Sequence, residues 1–435
     1  MNADPVGDAP MDEPRRPAER RSRGLILILA ATAVAGAFGY LIQLLAPALL
    51  DDAESYLAFT VFWSTLYLFS AAVGGTQQEV TRATRRSDVP VHTPTLRTFT
   101  LIAAAILAVV AVIVGLALGP VAFAAAPVAM TGAFAIGLIG YLLTAVLSGV
   151  LYGLSLWRPI ALVMVIDAVL RGVAVGLGLL LNAPPGLLAF LVAAPFALTF
   201  GIVWIGFRRE VVGNYRLDVP AARLSVNALG TVTAAAATGI MVTGLPMLLR
   251  TLMPTFPAES LAGLVLTITL TRAPLIIPLM ALQSFLIVDF RDAGKRVRPR
   301  LVKYAVLTAL VTALLALAAW LWGPWLVELL SSGRYSVEPY VAAAVMVSGG
   351  LVAILCLTGP AVLSEGRHAP YIAGWVGAAV VTIAALLLPL DPMTRTIVAL
   401  LAAPIVGIAI HVFGIKPGGT AADGATPPAE VGRVG

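Results

Sequence analysis

Apolar runs separated by short polar links recur along the whole chain, and twelve of them are long enough to cross a bilayer as helices. They cover residues 25–49, 57–76, 99–120, 127–150, 160–181 and 186–207 in the first half of the chain. The second half supplies 225–249, 261–286, 301–322, 340–362, 371–390 and 396–413. A spanning helix needs about 20 apolar residues, at about 1.5 Å of rise each. The expected fold class is therefore an all-α integral membrane protein with 12 transmembrane helices. The links are short, so the helices pack as a compact bundle with no large soluble domain.

The polar positions orient this bundle. Alternate links carry the arginines: Arg82, Arg85, Arg86 and Arg97, then Arg158, Arg208, Arg209, Arg216 and Arg223, then Arg291, Arg296, Arg298 and Arg300. The opposite links carry Arg250, Arg334 and Arg395 among the acids Asp51, Asp52, Glu54, Glu259, Glu328, Glu338 and Asp391. The positive-inside rule then places both termini in the cytosol, with the chain a multi-pass protein of a bacterial cytoplasmic (inner) membrane. An odd number of spans would scramble this segregation.

Composition agrees: 60% of residues are hydrophobic, 11% are charged, and mean hydropathy is +0.96. The net charge of +6 is accounted for by topology and implies no nucleic-acid partner. Residues 1–24 are polar and rich in Pro and Arg, without the cleavage site of a signal peptide, and are expected as a disordered cytosolic tail. Residues 415–435 are expected as a second disordered tail. Cys356 stands alone, and His92, His368 and His411 lack metal-ligand spacing. Gly294-Lys295-Arg296 lacks the remaining residues of a phosphate loop. No cofactor or bound metal is expected, and the chain is not expected to be an enzyme.

The basic link 208–224 divides the spans six and six, giving an N-terminal bundle over 25–207 and a C-terminal bundle over 225–414. Gln77–Gln78 and Gln283 place amides near the end of the second and eighth spans, each followed by a basic link. Six is even, so both halves have the same orientation. They would be related by a pseudo-two-fold along the membrane normal.

Charges inside the hydrocarbon are costly and mark the first places to look for chemistry. Asp167 and Arg171 lie four residues apart on one face of the fifth span. They read either as a self-neutralising structural pair or as a coupling switch whose partner changes between states. Arg272 lies about 18 Å of rise into the eighth span, near mid-membrane, with Pro274 and Pro278 after it. It suits an anionic ligand beside a kinked helix, or a pairing with Asp167 or with carbonyls freed by the prolines. Gln43 and Gln283 read as lining the same cavity or as hydrogen bonding between helices. Tyr40, Trp63 and Tyr67 could contact sugar rings, or serve packing and the lipid interface.

Two passages of the second span and its link are Phe62-Trp63-Ser64-Thr65-Leu66-Tyr67-Leu68-Phe69 and Gly74-Gly75-Thr76-Gln77-Gln78-Glu79-Val80-Thr81-Arg82. Together with Asp167 and Arg171, and with Thr271-Arg272-Ala273-Pro274-Leu275, they resemble actinobacterial polysaccharide-biosynthesis membrane proteins. These belong to the multidrug/oligosaccharidyl-lipid/polysaccharide (MOP) exporter superfamily. The resemblance implies two six-helix bundles around a central cavity and a lipid-linked oligosaccharide flippase, with Arg272 at the position that meets pyrophosphate. The chain departs from some relatives in having few cavity cations in its first two spans.

The expected function is thus translocation of a polyprenyl-pyrophosphate-linked oligosaccharide or polysaccharide precursor by alternating access. The expected partners are the lipid-linked glycan, membrane lipids and glycan-assembly enzymes. One alternative is a cation-coupled multidrug exporter of the same fold, which would favour an acidic cavity. Another is a membrane glycosyltransferase using a polyprenyl-phosphate sugar, for which Asp51-Asp52 would be the acidic outer residues.

Overall fold

A computed structural model describes residues 17–87 and 94–415. The side chains of 17–25, 273–274, 277–285, 288 and 295 lie outside the described set, and Gln283 is among them. The first half forms α1 (Pro17–Leu49), α2 (Ala53–Ala83), β1 (Thr84–Arg86), α3 (Thr95–Ala122), α4 (Pro127–Gly153), α5 (Trp157–Leu180) and α6 (Pro185–Val211). After β2 (Tyr215–Leu217) come α7 (Ala221–Val242), α8 (Leu245–Leu252) and α9 (Ala258–Ala293). The chain finishes with α10 (Val297–Leu330), α11 (Pro339–Ser364), α12 (His368–Leu386) and α13 (Pro392–Gly414).

Among the described residues, 11 helices are long and apolar enough to cross a membrane. The run expected at 261–286 falls within α9, a helix of 36 residues, many of whose side chains are outside that set. Burial runs opposite to that of a water-soluble protein. In α3, the most apolar span, the apolar 18-residue stretch has a mean hydropathy of 3.1 and is only 6% buried, whereas that of α2 has 1.6 and 67%. Side chains such as Leu116, Val128 and Phe413 are more than three-quarters exposed. Surface of this kind is stable only against hydrocarbon.

Three expected boundaries are corrected. The helix of the first span begins at Pro17, so residues 17–24 are helical rather than a disordered tail. The second span continues past residue 76 to Ala83, and Arg82 pairs with Glu79 at 2.6 Å along that extension. The seventh span is two helices, α7 and α8, broken at Thr243–Gly244. The all-α expectation also meets a small exception, because β1 and β2 pair antiparallel with Arg85 opposite Arg216. This ribbon fastens the first basic link to the 208–224 segment, with Arg85 and Asp218 paired at 3.2 Å.

The same packing plan occurs twice. In the first half α1 packs on α5, α2 and α3 on α4, and α6 on both α4 and α5. In the second half α7 packs on α12, α9 and α10 on α11, and α13 on both α11 and α12. The halves meet along α2 and α7. Gly75 permits this approach, because a Cβ there would lie 2.5 Å from the backbone of Thr231 and Val232. Thr231 donates its hydroxyl to the Gly75 carbonyl at 2.8 Å, and Asn227 donates to Glu79 at 2.9 Å. At the end away from the basic links, Arg250 bonds Glu54 at 2.8 Å. There Arg334 also donates to the carbonyls of Ala48 and Leu50, closing the end of α1.

Candidate functional site

The site grows out of the break between α7 and α8. A helix end leaves its last four carbonyls without intrahelical partners, and inside a membrane each needs another donor. Ser64 of α2, 3% exposed, donates its hydroxyl to the Thr243 carbonyl at 2.6 Å. The same oxygen accepts from the Met247 amide at 3.2 Å, at the start of α8. One side chain of the first half thus satisfies both lips of a break in the second half.

Arg272 serves the same break. Its guanidinium donates to the Met241 carbonyl at 2.9 Å and to Ser348 Oγ of α11 at 2.9 Å. The side chain is 5% exposed, and its buried Nε has no partner. No carboxylate among the described residues reaches it. Its charge is met by the negative end of α7 rather than by a counter-ion. Of the expected partners, freed carbonyls are therefore present and Asp167 is not, but the carbonyl comes from α7. The kinked α9 expected at Pro274 is assigned as helix throughout, and the discontinuity lies in the preceding span. Pro274 still leaves a mark, since it has no N–H to offer Leu270. The Leu270 carbonyl accepts instead from Tyr40 of α1 at 3.2 Å, a further bond between the halves.

Arg272, Gln43, Tyr40, Trp63, Tyr67, Ser64 and Thr243 line one cavity of about 340 Å³ between the halves. Its walls come from α1, α2, α7, α8 and α9. Trp63 and Tyr67 stack on each other at 4.9 Å with planes 9° apart. No acidic side chain lines it among the described residues.

Asp167 and Arg171 lie in a second cavity of about 310 Å³, inside the first half, with Gln77, Tyr141, Thr144, Ser148 and Tyr152. Arg171 bonds Asp167 at 2.6 Å and donates to the Val192 carbonyl. Its guanidinium lies 4.0 Å from the centre of the Phe196 ring and 5.5 Å from that of Tyr67. Tyr67 lines both cavities and stands between the ion pair and the central space.

Asp52, an acid considered for glycosyl transfer, is the N-cap of α2. It accepts from the Ser55 amide at 2.8 Å and from the Ser55 hydroxyl at 2.9 Å. The Ser55 amide is the main reason its carboxyl is held below the usual carboxylate range. Nothing in the sequence around Thr243 or Ser348 marks them, and Ser64 stands there only within the passage that carries the family resemblance. Gly244 and Pro246, inside an apolar run, were the available signal for the break.

The chain is 33% identical over 393 residues to Uncharacterized protein Mb3654 of Mycobacterium bovis, covering 88% of this chain and 90% of that one. It is 33% identical over 392 residues to Uncharacterized protein Rv1510 of Mycobacterium tuberculosis, covering 89% and 90%. No protein-family model matches. Among solved structures it is similar to an inward-facing multidrug resistance MATE family transporter of the MOP superfamily. The TM-score is 0.60 and identity 13%, over 92% of this chain and 97% of the other. A MOP superfamily transporter from Pyrococcus furiosus gives 0.58 and 13%, over 90% and 95%. Both of these solved structures are transporters of the MOP superfamily. The chain belongs to the family of these mycobacterial proteins, and its fold is that of the MOP superfamily.

Proposed function

We propose that this protein transports a polyprenyl-pyrophosphate-linked saccharide precursor across the cytoplasmic membrane by alternating access. The observation that supports this most is Arg272, a buried cation without a carboxylate, bordering a cavity between the two halves. A cation already satisfied by a counter-ion has little to gain from an anion. Arg272 has a helix end and one hydroxyl, and a phosphate is a stronger partner than either. Trp63 and Tyr67 offer aromatic surface to a sugar ring, and Gln43 an amide to its hydroxyls. At about 340 Å³ the cavity is at the small end for ligand sites, so it suits the phosphate-proximal part of a headgroup. A saccharide cannot cross about 30 Å of hydrocarbon unaided, whereas a prenyl chain stays in the lipid. Glycan-assembly enzymes are the partners this role implies.

A multidrug exporter of cations would place carboxylates where this cavity has Arg272. One MOP structure is described as having a binding pocket of reversed polarity that suggests a different function, so pocket charge varies within this fold.

Arg272→Ala is expected to abolish glycan export while the protein inserts at normal levels. Arg272→Lys is expected to retain part of it, because a point charge replaces a fork spanning Met241 and Ser348. Wild-type export by the alanine variant would remove Arg272 from the mechanism. Unchanged glycan export with lost resistance to cationic compounds would favour the multidrug reading.

A further inference from the structure

A cavity of about 750 Å³ lies on the flank of the first half and shares no lining residue with the central one. Its floor is α4, with Leu147 among the floor residues, and its walls are α3 and α6. Both walls pack on α4 and make little contact with each other, which leaves a groove between them. Phe200 and Trp204 of α6 lie along it with rings stacked at 6.1 Å and 13°. Outside the groove these walls are apolar and exposed, with Ile102 at 55% and Ile205 at 72%. The inner part of the groove, at Leu143 and Phe200, therefore faces hydrocarbon, while its outer part, at Pro94 and Gly213, lies at the end of the bundle.

Its mouth is different. Arg97, in the first turns of α3, and Tyr215, from β2, line it at the basic end of the bundle. Arg97 is exposed and has no ion pair or hydrogen bond among the described residues. The last turn of α6 carries Arg208 and Arg209 outside the lining, beside Glu210, and Asp218 is engaged by Arg85. An apolar slot ending at a cation with no partner among the described residues matches an amphiphile with one negative charge.

We infer that this groove binds an anionic glycerophospholipid of the leaflet at the basic end. An acyl chain lies between α3 and α6, and the phosphate meets Arg97. Because the groove is separate from the Arg272 cavity, the occupant is a resident lipid rather than cargo, and the inference does not depend on the transported substrate.

The test uses the full chain in mild detergent, with bound lipid measured by native mass spectrometry against added phosphatidylglycerol or phosphatidylcholine. The wild type should prefer phosphatidylglycerol, and Arg97→Gln should weaken that lipid about five-fold, as expected for one basic residue near an anionic headgroup, without changing phosphatidylcholine. Thr100→Trp, which puts bulk into the groove, should lose both lipids at unchanged melting temperature. A diazirine on the acyl chain of phosphatidylglycerol should label peptides containing Leu147, Phe200 or Trp204, which decides the chain position even if the tryptophan variant misfolds. Equal affinity for the two lipids in the wild type, a preference that survives Arg97→Gln, or labelling confined to other helices would each overturn the inference.

Discussion

Removing one partner of the Asp167–Arg171 pair should have unequal effects depending on which is removed. Arg171 is 3% exposed at its side chain and Asp167 is 22%, facing a polar cavity. Breaking a buried pair costs about 3–5 kcal/mol in the strongly buried limit. Asp167→Asn leaves the arginine charged and enclosed. It keeps the Val192 carbonyl and the Phe196 face, which offset about 1–2 kcal/mol, so the net loss should be about 2–3 kcal/mol. Arg171→Gln leaves a carboxylate with access to a polar space, at about 1–2 kcal/mol. The double variant has no buried charge, and two amides can still bond across one helical turn. It should recover protein level, melting temperature and most transport. The assay is membrane level and thermal melting in detergent for the four proteins, followed by transport. If the double variant melts no higher than Asp167→Asn, the pair is not what sets the cost and the electrostatic account fails. A stable, inserted double variant without transport would instead make Asp167 a coupling site.

Ser64→Ala should lower the melting temperature, because it strips the Thr243 carbonyl and Met247 amide of their shared partner, at about 1–3 kcal/mol; an unchanged midpoint would show that the break is held by other groups. Gly75→Leu should separate α2 from α7, so a disulfide engineered between Glu79→Cys and Asn227→Cys should form in the wild-type background and fail with leucine present. Equal cross-linking in both would refute the close approach. Reporter fusions after Asp52, Gly153 and Pro220 should read outside, inside and inside, and a cytosolic signal at Asp52 would overturn the orientation drawn from the arginines.

The spans were legible because a bilayer asks one question of every segment, whether about 20 residues can lie in hydrocarbon with their backbone bonded internally. Hydropathy answers that locally. It does not say which helix is central: α3 is the most apolar span and stays on the outside, while the less apolar α2 is buried between the halves. The Asp167–Arg171 contact is local too, since any helix brings residues four apart together. What surrounds it is not local, and Val192 and Phe196 come from α6.

The same division runs through the central site. Charge cost alone marked Arg272 as unusual, whatever the fold around it. Its partners lie 31 and 76 residues away in sequence, and nothing in their own neighbourhoods points to an arginine. The position of the helix break shows why. Two prolines after Arg272 predict a disruption of α9, yet the discontinuity sits at Thr243–Gly244, in a run apolar enough to read as one helix. A break within a membrane persists only where other elements supply the missing hydrogen bonds, and here they come from Ser64 on α2 and Arg272 on α9. Local sequence determined where the chain enters the bilayer and which charges it takes along. Tertiary structure decided where the backbone opens and which charge stands beside the opening, because each depends on donors brought from distant helices.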